Sequence, residues 1–504
     1  MKKKIAWILL FFVLAGGVFI AFSFKKINER YPWLLSYGLD QLRHEGRSPV
    51  QVPRHVMFLF TDHFEPHEQA TMDRWVKVYP EIASRHRDAD GKMPQHSWFW
   101  YFAHSADEEK KSFLRQLARL SYQGLGEIEL HLHHAFDTET TFLEKMKEMI
   151  QFSQEVGAMI TWEERPQVAF GFIHGLWGLD NSRSEGACGI TNELILLRRL
   201  GCYADFTHPS WGAMHPKMVN RLYYAIDDPQ KSKSYDTGIS MDMNRPALGD
   251  LLIFEGPSVV RFNSPRPTYD HGDVSQVDLP TPERIDGWVR AGIHVKGRAE
   301  WIFVKVFAHG ALQEDHVAVL GEWGDKMYDY LEKNYNDGTR YVLHYVTARE
   351  AYNIAKAAEA GKSGNPNDYR NFLIPPYVNR FLHASVPYEI FSAKGDQVAL
   401  RFLVPAGTTV EMRIRALDVK VSGDVTVVSS QAKENETVLI LKTSKTGVVS
   451  FVYNKTVITR TAANGGWTKA GAPRPALNRN PLTVPSKEGT KQSNGIASSL
   501  GGSQ

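Results

Sequence analysis

Glu127-Ile128-Glu129-Leu130-His131-Leu132-His133-His134 alternates polar and apolar side chains until its last residue. Successive side chains of an extended strand point to opposite faces, so Ile128, Leu130 and Leu132 share one face and Glu129, His131 and His133 the other. With the apolar face packed under helices, the two imidazoles are aimed into whatever cavity lies at the strand end. The stretch predicts a strand of a helix-covered sheet, with its chemistry at the C-terminal end, where parallel α/β barrels carry their active sites.

Outward from this point, the chain from Val52 to about Gly361 alternates strand-length apolar runs with amphipathic stretches. Strands are expected at 56–61, 127–133, 167–174, 202–207, 251–254, 301–309 and 341–346, and helices near 107–122, 138–156, 191–200, 316–334 and 348–360. The last helix opens on Thr347-Ala348-Arg349-Glu350, a capping box, and stops at Gly361. Runs such as Val56-Met57-Phe58-Leu59-Phe60 are wholly apolar, as parallel strands covered on both faces are. About seven β/α units favour a distorted (β/α)7-type barrel over an open sheet, within an α/β fold class.

The pattern changes beyond Pro366. Residues 366–460 carry short alternating runs separated by Gly and Asn turns, which reads as a small all-β sandwich. Residues 461–504 are rich in Gly, Ser, Pro, Asn and Lys and are expected to be a disordered tail. At the other end Lys2, Lys3 and Lys4 precede an uncharged apolar run, Ile5 to Phe24, closed by Lys25 and Lys26. Such a run spans roughly 30 Å as a helix, the thickness of a bilayer core. Residues 1–26 are therefore expected to be a transmembrane signal-anchor, with a removed signal peptide as the alternative. The short N-terminal tail favours the cytoplasmic side, which places the rest on the outer or periplasmic side of the cytoplasmic membrane. Residues 27–50 read as a juxtamembrane helix or linker and 51–365 as the barrel.

A net charge of +3 over 504 residues, with no basic stripe, argues against nucleic acid as a partner. Cys188 and Cys202, the two cysteines, exclude a disulfide scaffold and a multi-Cys zinc site; one bridge or two buried thiols remain open. Phosphate-binding glycine loops, a His-Glu-x-x-His helix and a Gly-x-Ser-x-Gly elbow are all absent.

The other strand ends add to His131 and His133. Thr61-Asp62-His63-Phe64-Glu65-Pro66 sets three proton carriers or ligands within four residues. Imidazoles suit zinc and other first-row divalent ions, and Asp62 would complete a three-ligand site with an open position. His174 with Asn181 just beyond, Asp205 with His208, and His309 close further runs. Singly such residues are more often structural or substrate-contacting. His309, with a pKa near neutrality, would protonate a leaving group. Trp98, Trp100, Trp177 and Trp211 are candidates for stacking on sugar rings. His344, inside its strand, reads as a core histidine.

With TDHFEP at 61–66, EIELHLHH at 127–134, FIHGLWGLDNS at 172–182, ELILLRRLGCYADFTHPS at 193–210, VKVFAHGA at 304–311 and HYVTAREAYNIAKAAEAG at 344–361, the chain resembles the polysaccharide deacetylase-like branch of the glycoside hydrolase/deacetylase barrel superfamily. It is similar in particular to members that accompany exopolysaccharide synthesis. The resemblance implies Asp62 as general base, His131 and His133 as metal ligands with His63 in place of a second Asp, and His309 as the acid. It also implies a divalent metal, zinc first, a polysaccharide substrate, and contact with exopolysaccharide synthesis machinery. His174, Asn181, Asp205, His208 and Trp211 are expected to contact substrate. The family's His-x-x-x-His spacing is replaced by His-x-His-His, and its Arg-x-x-Pro-Tyr segment by Thr207-His208-Pro209-Ser210.

Three functions follow as expectations. The first is metal-assisted removal of N- or O-acetyl groups from a glycan outside the membrane. The second is a glycosidase pairing Asp62 or Glu65 with Asp205 across about 5–9.5 Å. The third is a non-catalytic polysaccharide-binding or assembly protein with a degenerate site.

Overall fold

The computed structural model describes residues 25–43, 53–101, 108–156, 158–159, 168–183, 186–245, 247–261 and 267–374. Between 381 and 453 it describes all but 395–396, 415, 417, 434–435 and 446. The expected transmembrane segment (up to residue 24) and the expected disordered tail fall outside these residues; among those described, no helix is long and apolar enough to cross a membrane.

The first part is a mixed α/β unit around a ten-stranded sheet. Its strands are β1 (Arg54–Phe64), β2 (His96–Tyr101), β3 (Gly126–Leu132), β4 (Phe170–His174), β5 (Cys202–Asp205), β6 (Leu222–Ala225), β7 (Gly238–Ser240) and β8 (Leu251–Phe254). A separate hairpin, β9 (Val259–Arg261) with β10 (Thr268–Asp270), precedes β11 (Trp301–Ala308) and β12 (Tyr341–Val346). The order is β11-β1-β2-β3-β4-β5-β8-β6-β7, with β12 also on β1. It is parallel from β11 to β8 and antiparallel beyond, through β6 and β7. This arrangement is compatible with a barrel-like fold; the antiparallel edge departs from the uniform β/α alternation expected from the sequence.

β1 organises the sheet. One edge pairs with β11 from His55 to Asp62. The other pairs with β12 along Arg54–Leu59 and then with β2 along Phe60–Phe64. Its side chains alternate between two cores: Val56, Phe58 and Phe60 pack with the helices Gln69–Ala83 and Glu322–Tyr335, while Met57 and Leu59 join a second cluster with Phe99, Phe206, Phe303 and the helix Ala348–Glu359. Burial on both faces is what an unbroken apolar run requires.

The strand β2 (HSWFWY) and the helix Gln69–Ala83 were not anticipated. Aromatic side chains favour strands, and β2 carries four of them, among them Trp98 and Trp100, of a kind more often core than sugar platform. They are 0% and 2% exposed and belong to the core. The helix was hidden by its internal Pro80. The capping box at Thr347 forms as expected, with Glu350 N–H donating to Thr347 Oγ1 at 3.2 Å and Thr347 N–H to the Glu350 carboxylate at 3.3 Å.

Within residues 27–50, the helix reading is met by Leu34–Arg43. Trp33 is 2% exposed, with its ring against His215 and Tyr269, and the helix Leu34–Arg43 bonds the β9 region through Tyr37.

The C-terminal part comprises β13 (Phe381–Ala384), β14 (Tyr388–Lys394), β15 (Gln397–Phe402), β16 (Thr409–Ile414), β17 (Val419–Gly423), β18 (Val425–Lys433), β19 (Glu436–Thr443) and β20 (Val448–Tyr453). They form two four-stranded antiparallel sheets, β13-β16-β19-β18 and β14-β15-β20-β17, that share one apolar cluster. Alternating burial along β16 leaves one face of that strand to the core.

Arg349 locks the end of the unit. Its guanidinium, 1% exposed, donates to both oxygens of Glu127 at 2.9 and 3.0 Å and to the carbonyls of Arg370 and Ile374. Arg349→Met strands the Glu127 carboxylate, and urea denaturation should show a loss of about 3–5 kcal/mol. A loss within measurement error would contradict the assigned pairing.

Candidate metal centre

Three side chains from two strand ends meet at one point. β1 terminates at Phe64, one residue before Glu65, and β3 terminates at Leu132, between His131 and His133. His131 Nε2 lies 3.0 Å and His133 Nε2 3.1 Å from the same oxygen, Glu65 Oε1, and the two Nε2 atoms are 3.1 Å apart. The other nitrogen of His131, Nδ1, faces the Ile173 carbonyl at 3.0 Å. A carbonyl only accepts, so Nδ1 carries a hydrogen, and the other ring nitrogen, Nε2, is the atom turned to Glu65. Two imidazole nitrogens and a carboxylate oxygen converge, which is a donor set for a cation. Burial pushes the Glu65 carboxyl up, but the bonds from His131 and His133 outweigh it and hold it far below the usual range.

The site is partly open. His131 is fully buried, whereas the Glu65 and His133 side chains keep 21% and 29% of their surface. Three protein ligands with one accessible side is the pattern of catalytic rather than structural zinc. The turn after β4 fits against the site because it is Gly175: a Cβ there would lie 2.4 Å from the His133 ring.

Asp62 and His63, expected as ligands, lie beside the cluster rather than in it. Asp62 is 0% exposed; its Oδ1 accepts the Gly310 N–H at 2.7 Å and its Oδ2 faces His96 Nε2 at 2.8 Å. Gly310 is held so closely that a Cβ would meet Asp62 Oδ2 at 2.2 Å. The His63 ring packs between His131 at 4.9 Å and His309 at 4.7 Å, centroid to centroid. Burial lowers its pKa, with His309 and His131 acting the same way. His309, half-buried, is also lowered by burial, against the pull of Glu65 and Asp62.

Of the expected substrate contacts, His174, Asp205 and His208 are each 0% exposed, which does not fit contact with a polymer. Asp205 accepts from the Thr207 hydroxyl at 2.7 Å, and His208 lies against Tyr235 and Ser210. Asn181 is half-buried, with φ 49° in the loop after β4. Trp211 is 45% exposed and leads inward through His271 (4.5 Å), Phe307 (5.3 Å further) and His63 (5.5 Å). Asp205, buried and internally bonded, is also a poor member of a cleft-flanking carboxyl pair.

Sequence reasoning counted Glu65 among three potential ligands after β1 but chose Asp62 and His63 for the metal, and it missed His96 and Tyr101, whose ring lies 5.0 Å from that of His133. His96 and Tyr101 sit on the unrecognised β2. Glu65 lies just past the end of β1, where period-2 alternation stops giving direction. His344 is buried and partnered by Asp90 and His55. Asp88, Asp90 and His344 also cluster, but Arg370 reaches both aspartates at 3.2 and 3.4 Å and supplies the cation there. Cys188 and Cys202 are separate buried thiols.

No protein-family model and no curated protein matches the chain. Among solved structures, 4-alpha-glucanotransferase from Thermococcus litoralis matches with a TM-score of 0.27 and 11% identity, over 57% of this chain and 37% of that one. The matched region thus spans little more than a third of that protein's length, and a likeness of this size carries no functional weight.

Beneath His131 on the same face, Glu129 is enclosed, accepting from the Tyr203 hydroxyl at 2.6 Å and from the Gly171 N–H. Burial pushes its carboxyl up to about 8 against both bonds. In the unfolded chain it ionises near the ordinary 4.5, so between 4.5 and 8 the folded state holds the extra proton and rising pH favours unfolding through this group. The stability of Glu129→Gln relative to wild type should therefore climb with pH across that window in denaturant titrations. A flat or falling difference would contradict the buried, protonated assignment.

Proposed function

We propose that this chain is a membrane-tethered, metal-dependent hydrolase that removes acetyl groups from an exopolysaccharide or cell-envelope glycan, on a distorted (β/α)7-type barrel. The observation that carries the proposal is the convergence of His131, His133 and Glu65 on one point that remains accessible from one side. Zinc is the metal that this imidazole and carboxylate set suits best. A divalent ion held there would polarise an acetyl carbonyl and bring the pKa of water from about 15.7 toward 7.

The remaining roles belong to the chain's own side chains. His309, whose pKa burial depresses, is neutral at pH 7 and accepts a proton at its ring nitrogen. It then returns that proton to the departing amine or hydroxyl. Asp62, with both oxygens engaged, acts as a positioning residue: its bond to the Gly310 N–H fixes the turn that carries His309. Trp211 offers an exposed ring for a sugar face, at the outer end of the aromatic path to His63. Tethering through residues 1–26, an outer or periplasmic location and service to exopolysaccharide synthesis machinery belong to the same proposal and rest on the sequence.

Metal content and acetate release from acetylated glycans, measured on the full chain, test it. Glu65→Gln should lose about one metal equivalent and lower acetate release about 100-fold or more, as removal of several kcal/mol of charge stabilisation implies. Acetate release that survives complete metal removal would overturn the proposal, and release of reducing ends without acetate would replace it with the glycosidase.

A further inference from the structure

His133 and His134 are consecutive, and they face different clusters. His133 joins the open centre, whereas His134 joins His174, Cys188 and Glu193, whose ligand atoms all lie within 4.8 Å of one another. His134 Nε2 is 3.1 Å and His174 Nε2 3.7 Å from Glu193 Oε1, and Cys188 Sγ is 3.3 Å from Glu193 Oε2. The edges of a tetrahedron around zinc, at ordinary Zn–N, Zn–O and Zn–S lengths, are about 3.3–3.7 Å.

The hydrogen positions favour a cation. His174 Nδ1 lies 2.6 Å from the Gly175 carbonyl, which can only accept. The hydrogen therefore sits on Nδ1, and Nε2 presents a lone pair. That Nε2 is buried, has no hydrogen-bond partner, and faces the Glu193 carboxylate. His134 Nδ1 faces the Asp137 carboxylate at 3.1 Å, and Asp137 is itself paired with Lys145 at 2.8 Å. A carboxylate behind an imidazole fixes the tautomer of a ligating histidine. His174 thus turns an unpartnered lone pair toward a buried carboxylate, a repulsive arrangement without a positive charge between them, while His134 Nε2 lies within hydrogen-bonding distance of the same oxygen. Among the described residues, Glu193 has no Lys or Arg partner, unlike the Arg370-filled cluster at Asp88 and Asp90.

We infer that His134, His174, Cys188 and Glu193 form a second, closed, structural metal site, with zinc as its ion. Two imidazoles, one thiolate and one carboxylate make a four-ligand set of the borderline-soft kind that zinc prefers. The thiolate and carboxylate charges cancel the ion's, so the filled site is neutral, as its depth demands. Binding releases the Cys188 thiol proton to solvent. All four residues are 5% exposed or less, which closes the coordination shell, in contrast to the accessible centre at Glu65. The ion would tie the end of β3, the end of β4 and the helix Glu193–Leu200 to the loop between them, where Leu176, Trp177, Asp180 and Asn181 all have positive φ. One irregular loop would then be fixed beside His133 by a cross-link rather than by regular hydrogen bonding.

Cobalt(II) substitution separates the two centres, because one contains sulfur and the other does not. The full-length chain, stripped with chelator and reloaded with cobalt, should bind two equivalents and show a thiolate-to-cobalt charge-transfer band in the near ultraviolet. Cys188→Ser should lose that band and one equivalent, whereas Glu65→Gln should lose one equivalent and keep the band. A wild-type cobalt protein without the band, or a band that survives Cys188→Ser, would overturn the inference. Should Cys188→Ser not fold, thiol-reagent kinetics on the wild-type chain decide: Cys188 protected when metal-loaded and exposed after chelation supports the site. Equal reactivity in both states overturns it. A wild-type chain that binds one equivalent and shows the band would count against the proposed hydrolase and leave the second site standing.

Discussion

β1 is hydrogen-bonded along one edge to β11 and along the other to β12 and then β2. No other strand has three neighbours in this sheet. The exchange of partner occurs between Leu59 and Phe60, so the last residues of β1 enter a new environment just where the sequence turns from apolar to Thr61-Asp62-His63. That step brings Asp62 against His96 on one side and Gly310 on the other, and carries Glu65 to the end of β3. Weakening the β1 ladder would therefore dissolve the core and the centre together.

Around this frame, one electrostatic device recurs. An imidazole is pinned through Nδ1 to a group that can only accept, which turns Nε2 toward a carboxylate. His131 uses the Ile173 carbonyl, His174 the Gly175 carbonyl and His134 the Asp137 carboxylate. Fixing the tautomer this way removes the rotational and protonation freedom that a metal ligand must otherwise surrender on binding. The two clusters differ chiefly in burial, and burial separates their proposed roles: the accessible one is suited to chemistry, the closed one to holding a loop.

Much of this was legible in the sequence, because period-2 alternation reports direction wherever a strand is regular. The faces assigned to Ile128, Leu130 and Leu132 and to Glu129, His131 and His133 match the packing found. The apolar strands, the capping box at Thr347 and the all-β character of the C-terminal part were equally plain. What escaped lay where local pattern is silent. β2 went unplaced because its run, His96–Tyr101, is short and has no polar–apolar alternation to report a face. Glu65 lies one residue beyond its strand, where the turn alone sets direction. His174 and Cys188 gained a common partner only through Glu193, a helix residue 19 positions after one and 5 after the other. Contacts of that kind depend on tertiary packing, which single-sequence periodicity does not encode.

The central claim is that an ion sits among His131, His133 and Glu65. Anomalous diffraction at the zinc absorption edge, from crystals of the full chain grown with zinc, tests it most directly. An anomalous peak is expected within coordinating distance of His131 Nε2, His133 Nε2 and a Glu65 oxygen, about 2.0–2.2 Å from each. A featureless anomalous map at that point, with Glu65 hydrogen-bonded to two protonated imidazoles instead, would contradict it.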